Sequence, residues 1–159
     1  MKAMALLVGL MLLLFALPVQ AQTVTDAQKA AIEKSLKAQL TQYLSTFEKI
    51  DLDAAMKFWS QGKLIGSNTN GQIFTTLEGV KGAFATMNKG RKEQKCDIKD
   101  IKFRTLSPDM AMTLVSCNWK IVFANGNVGN YVVALTEIWV MEANVWKIVF
   151  EVGSSVAAQ

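Results

Sequence analysis

Beyond Gly90 the apolar residues of this chain change their spacing from about 3.6 to 2, and they keep the shorter period almost to the C-terminus. Four stretches carry it: roughly Asp97 to Leu106, Met110 to Phe123, Gly129 to Met141 and Val145 to Ser154. The connections between them are Ser107-Pro108-Asp109, Asn125-Gly126-Asn127 and Ala143-Asn144. Turns so short join antiparallel neighbours, because a parallel pair needs a crossover of about a dozen residues or more. The second half of the chain is therefore expected to form a four-stranded antiparallel meander.

The half before Gly90 reads as helix. Thr25-Asp26-Ala27-Gln28 has capping-box spacing, and Ile32, Leu36, Leu40, Tyr43, Leu44 and Phe47 follow at steps of three and four. A second helix is expected from Asp51 through Ala54, Ala55, Phe58 and Trp59, broken by Gly62. Asp51 and Asp53 lie at its start, where carboxylates favour the helix dipole and its free N–H groups. Lys63 to Ser67 and Gln72 to Thr75 flank Asn68-Thr69-Asn70-Gly71, a hairpin signal. Thr75 or Thr76 caps a third helix with Val80, Phe84 and Met87 on one face. The layout is α+β: three helices and a small hairpin, then a meander, with the helices on one sheet face.

Turn lengths predict the register. A two-residue turn at Ala143-Asn144 pairs Glu142 with Val145, and a three-residue turn at Asn125-Gly126-Asn127 pairs Phe123 with Gly129. One face then gathers Cys117, Trp119 and Ile121 with Tyr131, Glu137 and Trp139, and with Trp146, Ile148, Phe150 and Val152. The opposite face keeps Val132, Ala134, Ile138 and Val140. That set suits a homodimer interface or a half-exposed sheet. The same rule places Cys96 near Lys120 and on the face opposite Cys117, which leaves the two thiols unbridged.

Residues 1–21 are set apart from the rest. Lys2, the apolar run from Ala3 to Val19 and the ending Val19-Gln20-Ala21 make a secretory signal peptide. The expectation is an exported protein, periplasmic or secreted, with no stable membrane anchor and a single domain over residues 22–159.

Composition narrows the chemistry. Hydrophobic residues make up 51% and charged residues 19%, which excludes disorder. There is no histidine, so nucleophile–histidine pairs, histidine bases and His-based zinc sites are excluded. Two separated cysteines and scattered acids show no metal-ligand spacing, and no nucleotide-binding motif is present, so no metal and no cofactor is expected. The basic run Lys89 to Lys95 has no interleaved aromatic residue; it reads as a solvated loop and not as a nucleic-acid surface.

Several segments together resemble the NTF2-like superfamily, in its SnoaL-like and ketosteroid-isomerase-related branches. They are Tyr43 to Asp51 leading to Phe58-Trp59, Gly71 to Phe74 with Leu77-Glu78-Gly79-Val80, and Leu135 to Val140 followed by Trp146 to Ser154. The resemblance implies a bent antiparallel sheet wrapped by helices into a cone with a pocket inside, often dimeric. It implies no single activity, since members include isomerases, dehydratases, cyclases and binding domains. Many members carry histidines in the last strand where this chain has Phe150 and Val152.

Two functions follow as expectations. The first is a non-catalytic domain that takes a small apolar molecule or a partner, its pocket formed by Tyr43, Phe47, Phe58, Trp59, Trp119, Tyr131, Glu137, Trp139 and Phe150. The second is an isomerase or lyase with Glu137 as general base and Tyr131 or Tyr43 as hydrogen-bond donor. Glu137 among apolar neighbours should hold its proton tightly unless it is paired. The missing histidines and the lack of a second pocket carboxylate favour the first. Intact-mass measurement of the exported protein should give a chain beginning at Gln22. A mass that retains the apolar segment refutes cleavage after Ala21.

Overall fold

Thr25 opens the first helix through a reciprocal pair of bonds: its hydroxyl accepts from the Gln28 N–H at 3.2 Å, and its own N–H donates to the Gln28 side chain at 2.9 Å. The computed structural model describes residues 23–69 and 71–158, so the expected signal peptide and its cleavage point lie outside the described residues. Helix α1 (Asp26–Glu48) buries Leu36, Leu40, Tyr43, Leu44 and Phe47 on the stripe its spacing predicts. Asp51 caps α2 (Leu52–Met56) by accepting from the Ala54 N–H at 2.9 Å. Asp53 instead pairs with Lys81 on the surface.

Helix α2 stops at Met56 and does not reach Phe58 and Trp59 as their spacing suggests. The last strand of the chain takes their backbone. The Ile148 N–H donates to the Phe58 carbonyl at 2.8 Å, and the Ser60 N–H donates to the Ile148 carbonyl at 2.9 Å. The hairpin of β1 (Gly66–Thr69) and β2 (Gln72–Phe74) follows, then α3 (Leu77–Asn88), capped by Thr76.

Four long strands complete the fold: β3 (Arg91–Ser107), β4 (Met110–Phe123), β5 (Val128–Glu142) and β6 (Val145–Ala157). The sheet order is β2-β1-β6-β5-β4-β3. The meander is antiparallel throughout, but β1 lies parallel to β6, so the sheet as a whole is mixed. Strand β3 begins at Arg91, six residues before the expected start, so most of the basic run is strand and not loop. Gln94 within it is buried, donating to the Phe47 carbonyl and to the Asn88 side chain, and the Cys96 N–H donates to Glu48 at 2.8 Å. These bonds fasten β3 beneath the end of α1. The helices cover one sheet face, and the core between them holds Leu36, Leu40, Phe84, Trp119, Trp139 and Trp146.

Bulges decide which side chains face inward. In β3 the pairing shifts by one between Ile98 and Asp100, with Lys99 as the extra residue. Cys96 therefore sits opposite Trp119 and shares a face with Cys117, which corrects the expectation that they point apart. The two thiols are free, and each raises or lowers the ionisation of the other. In β6 the extra residue is Val149, between the pairs Trp139–Ile148 and Ile138–Phe150. Phe150 consequently turns away from the core-facing side and Glu151 turns in. The β4–β5 turn keeps the expected parity but pairs Ile121 with Gly129, two residues from the predicted partner.

Gly66 holds the junction of the hairpin with β6. Its φ is +146°, and a Cβ there would lie 2.6 Å from the Phe74 carbonyl oxygen. Gly66→Ala should therefore lower unfolding free energy by roughly 2 kcal/mol or more, read as a reduced urea midpoint. An unchanged midpoint would show that the hairpin is not anchored this way.

Candidate functional site

The Val149 bulge creates the most unusual arrangement in the molecule. Thr113 of β4, Glu137 of β5 and Glu151 of β6 fall on one row across three strands. Directly opposed side chains on one sheet face have Cβ atoms about 5 Å apart, so the two carboxyl groups are neighbours. Glu137 is 0% exposed and Glu151 is 5% exposed. The Tyr43 hydroxyl donates to Glu151 Oε2 at 2.8 Å. Thr113 Oγ1 donates to Glu137 Oε2 at 2.5 Å, and Trp139 Nε1 reaches the same oxygen at 3.1 Å. Glu137 Oε1 has no partner among the described residues.

Among the described residues no cation forms an ion pair with either carboxyl. The four ion pairs among the described residues are Lys29–Asp26, Lys81–Asp53, Lys99–Asp97 and Lys102–Asp100, and none includes Glu137 or Glu151. Burial pushes Glu151 up to about 8, with the neighbouring Glu137 charge adding to the rise and the Tyr43 bond opposing it. Burial likewise pushes Glu137 up to about 7, against the bonds from Thr113 and Trp139. The Tyr43 hydroxyl is raised well above its ordinary value, by burial first and then by the Glu151 charge. Two like charges this close do not both form readily, so the pair retains a proton near neutrality.

Glu151 opens onto a cavity of about 230 Å³. Tyr43, Phe47, Trp119 and Tyr131 line it, as do Phe84 and Leu135. The other residues assigned to the pocket from sequence lie elsewhere. Glu137 and Trp139 are buried and do not line the cavity; Trp139 stands edge-on to Tyr43 at 6.3 Å. Phe58 packs on Tyr43 at 5.6 Å and Trp59 on Phe84 at 6.0 Å, both within the core. Phe150 is half-buried on the other face.

Sequence reasoning missed Glu151 and Arg91, which both line the cavity. Glu151 left one trace: Ile148-Val149-Phe150 breaks the apolar–polar alternation, which is how a bulge reads in a strand. Arg91 lay in a charged run with no such mark. Among the described residues no cluster of acids and cysteines has the grouping to hold a metal ion, and no helix is long and apolar enough to cross a membrane.

The sequence pattern of the SnoaL-like domain matches residues 36–159. Among curated proteins none matches the chain. Solved structures do. A candidate scytalone dehydratase from Novosphingobium aromaticivorans superposes with a TM-score of 0.74 at 7% identity, covering 83% of this chain and 89% of that one. An NTF2-like superfamily protein from Salmonella enterica gives 0.72 at 13% identity over 82% and 95% of the two chains. A hexachlorocyclohexane dehydrochlorinase of type 2 gives 0.70 at 13% identity over 85% and 94%. At such identities the likeness establishes the fold.

The carboxyl pair has a consequence for stability. An unfolded Glu loses its proton near pH ~4.3, whereas the folded pair keeps it until about 7 to 8. The folded state therefore binds more protons in this window, and its stability falls as pH rises through it. The midpoint of thermal unfolding should be lower at pH 8.5 than at pH 5. Glu151→Gln should flatten that slope and raise the midpoint at pH 8.5 by roughly 5 °C, and Glu137→Gln should act in the same direction. Stability that instead rises over this range would mean that both carboxylates are ionised and paired.

Proposed function

Because the chain belongs to the SnoaL-like domain family of the NTF2-like superfamily, we propose that it is a binding domain whose cavity takes a small, largely apolar molecule with one hydrogen-bonding group. The observation that carries this reading is the cavity itself, about 230 Å³ with aromatic and aliphatic walls and the Tyr43–Glu151 pair exposed to it. Ligand sites combine apolar walls with a few placed polar groups, and this volume suits a molecule at the small end of that range. A protonated Glu151 donates or accepts, so it serves a hydroxyl or a carbonyl equally well.

One observation favours a second reading, an isomerase or lyase. Glu151 lines the cavity, holds its proton up to about 8 and sits beside a tyrosine hydroxyl. Those are the requirements for moving a proton to or from a bound molecule. In that reading Glu151 takes over the proton-transfer role that sequence assigned to Glu137, as general acid while it holds its proton and as general base above about 8; Glu137 does not line the cavity.

The proposal extends to an exported homodimer. Leu114, Val132 and Val156 share the sheet face away from the helices and are 41%, 40% and 64% exposed. Val140, placed in this set from sequence, is already buried within the protomer. Covering the exposed residues gains about 25 cal/mol per Å² of apolar area.

Two measurements test these readings. Trp119 lines the cavity, so p-cresol should change tryptophan fluorescence saturably, and Val133→Trp, which fills the space, should abolish that change. A response that is absent, or indifferent to the filled cavity, sinks the binding reading. Light scattering at high micromolar concentration should give a dimer mass that Val132→Lys halves. A monomeric wild type would remove the dimer.

A further inference from the structure

We infer that Arg91 is the anchor for a carboxylate, and hence that the cavity takes small apolar carboxylic acids. This rests on the binding reading above and names its ligand class. Arg91 stands in the cavity wall at the first residue of β3 and is half-buried. A guanidinium has five N–H donors and stays charged in proteins. Only one of these donors is engaged by a side chain: Arg91 Nη1 donates to Gln94 Oε1 at 2.8 Å. Arg91 Nε is buried and has no partner among the described residues.

Among the described residues no acid lies within ion-pair distance of it. Arg91 takes part in none of the four ion pairs among the described residues. Gln94, which holds it, is itself fixed by donating to Phe47 and Asn88, and Asn88 Nδ2 is a second buried donor without an acceptor. The frame is short of acceptors, and a carboxylate brings two with no donor. Burial pulls the Arg91 guanidinium downward from its ordinary value, as expected of a cation left without a counter-charge.

The position of Arg91 sets the orientation. Its strand partner is Phe123, near the turn into β5, and Tyr131 lines the same cavity. Glu151 lies opposite Glu137, further along β5, and is far more enclosed. A bound acid therefore places its carboxylate at the Arg91 end and its apolar body along Tyr131, Val133 and Leu135 toward Tyr43. The described cavity lining contains a single cation. One guanidinium matches one negative charge bidentately; a dianionic phosphate ester would be left half-neutralised among aromatic walls.

The test compares isosteric pairs at pH 6.5: 4-phenylbutyrate with its primary amide, and octanoate with its amide, titrated against the full chain by tryptophan fluorescence and calorimetry. Each acid should bind about tenfold or more tightly than its amide, a difference of about 1.4 kcal/mol. Arg91→Gln should bring the acid down to the affinity of the amide, with a melting curve establishing that the variant is folded. Arg91→Lys, which keeps the charge and loses the fork, should retain part of the preference. Equal binding of acid and amide by the wild type overturns the assignment while leaving the binding reading in place. So does a preference that survives Arg91→Gln. Failure of all four compounds overturns the binding reading and this inference with it.

Discussion

Glu137 and Glu151 stand on neighbouring strands, both buried, and no cation among the described residues forms an ion pair with either. Taking a carboxylate out of water costs on the order of several kcal/mol unless a counter-charge replaces its hydration. Here the replacement consists of dipoles: two hydroxyls and an indole N–H. These can hold a protonated pair comfortably and a doubly ionised pair poorly. The Tyr43–Glu151 bond also joins residues 108 positions apart, so the polar centre fastens α1 across β6. The acid centre and the helix–sheet contact are one structural element.

Much of the fold was legible from periodicity. The capping box at Thr25, the buried stripe of α1, the Thr76 cap and the bounds of β4 follow from spacing and local chemistry, which act within a few residues. What was lost came from interactions between distant segments. Phe58 and Trp59 continue a helical period, yet β6 claims their backbone. Parity arguments carry a register only as far as the next extra residue. Lys99 and Val149 are such residues, and each reversed the inward set beyond it. Val149 could have been suspected from the run Ile148-Val149-Phe150, which breaks the apolar–polar alternation. Lys99, among charged neighbours, offered nothing comparable. The site was therefore half visible. Four aromatic residues of the cavity wall were found, and the carboxyl that faces the cavity was assigned to the wrong side.

Structures sharing 7% and 13% of residues superpose on most of the chain. A backbone that tolerates so much replacement is specified by the meander, its turns and a helical stripe, not by individual interior side chains. The interior is then free to differ. In this chain it holds no histidine and faces two carboxyls to one another. Function on such a scaffold belongs to the few side chains that bulges and strand ends turn inward.

The parallel pairing of β1 with β6 has a further meaning when the chain is followed in time. Strand β1 is complete by residue Thr69, but the strand it joins on its sheet side begins only at Val145. The segment from Phe58 to Ile65 likewise bonds to Ile148 and Val149. During synthesis, when residues emerge in order, the first hairpin and the segment before it have no partner strand on the sheet side until β6 has emerged. Such long-range closure slows folding relative to locally paired topologies. A nascent chain with this connectivity cannot close the hairpin side of its sheet until β6 arrives.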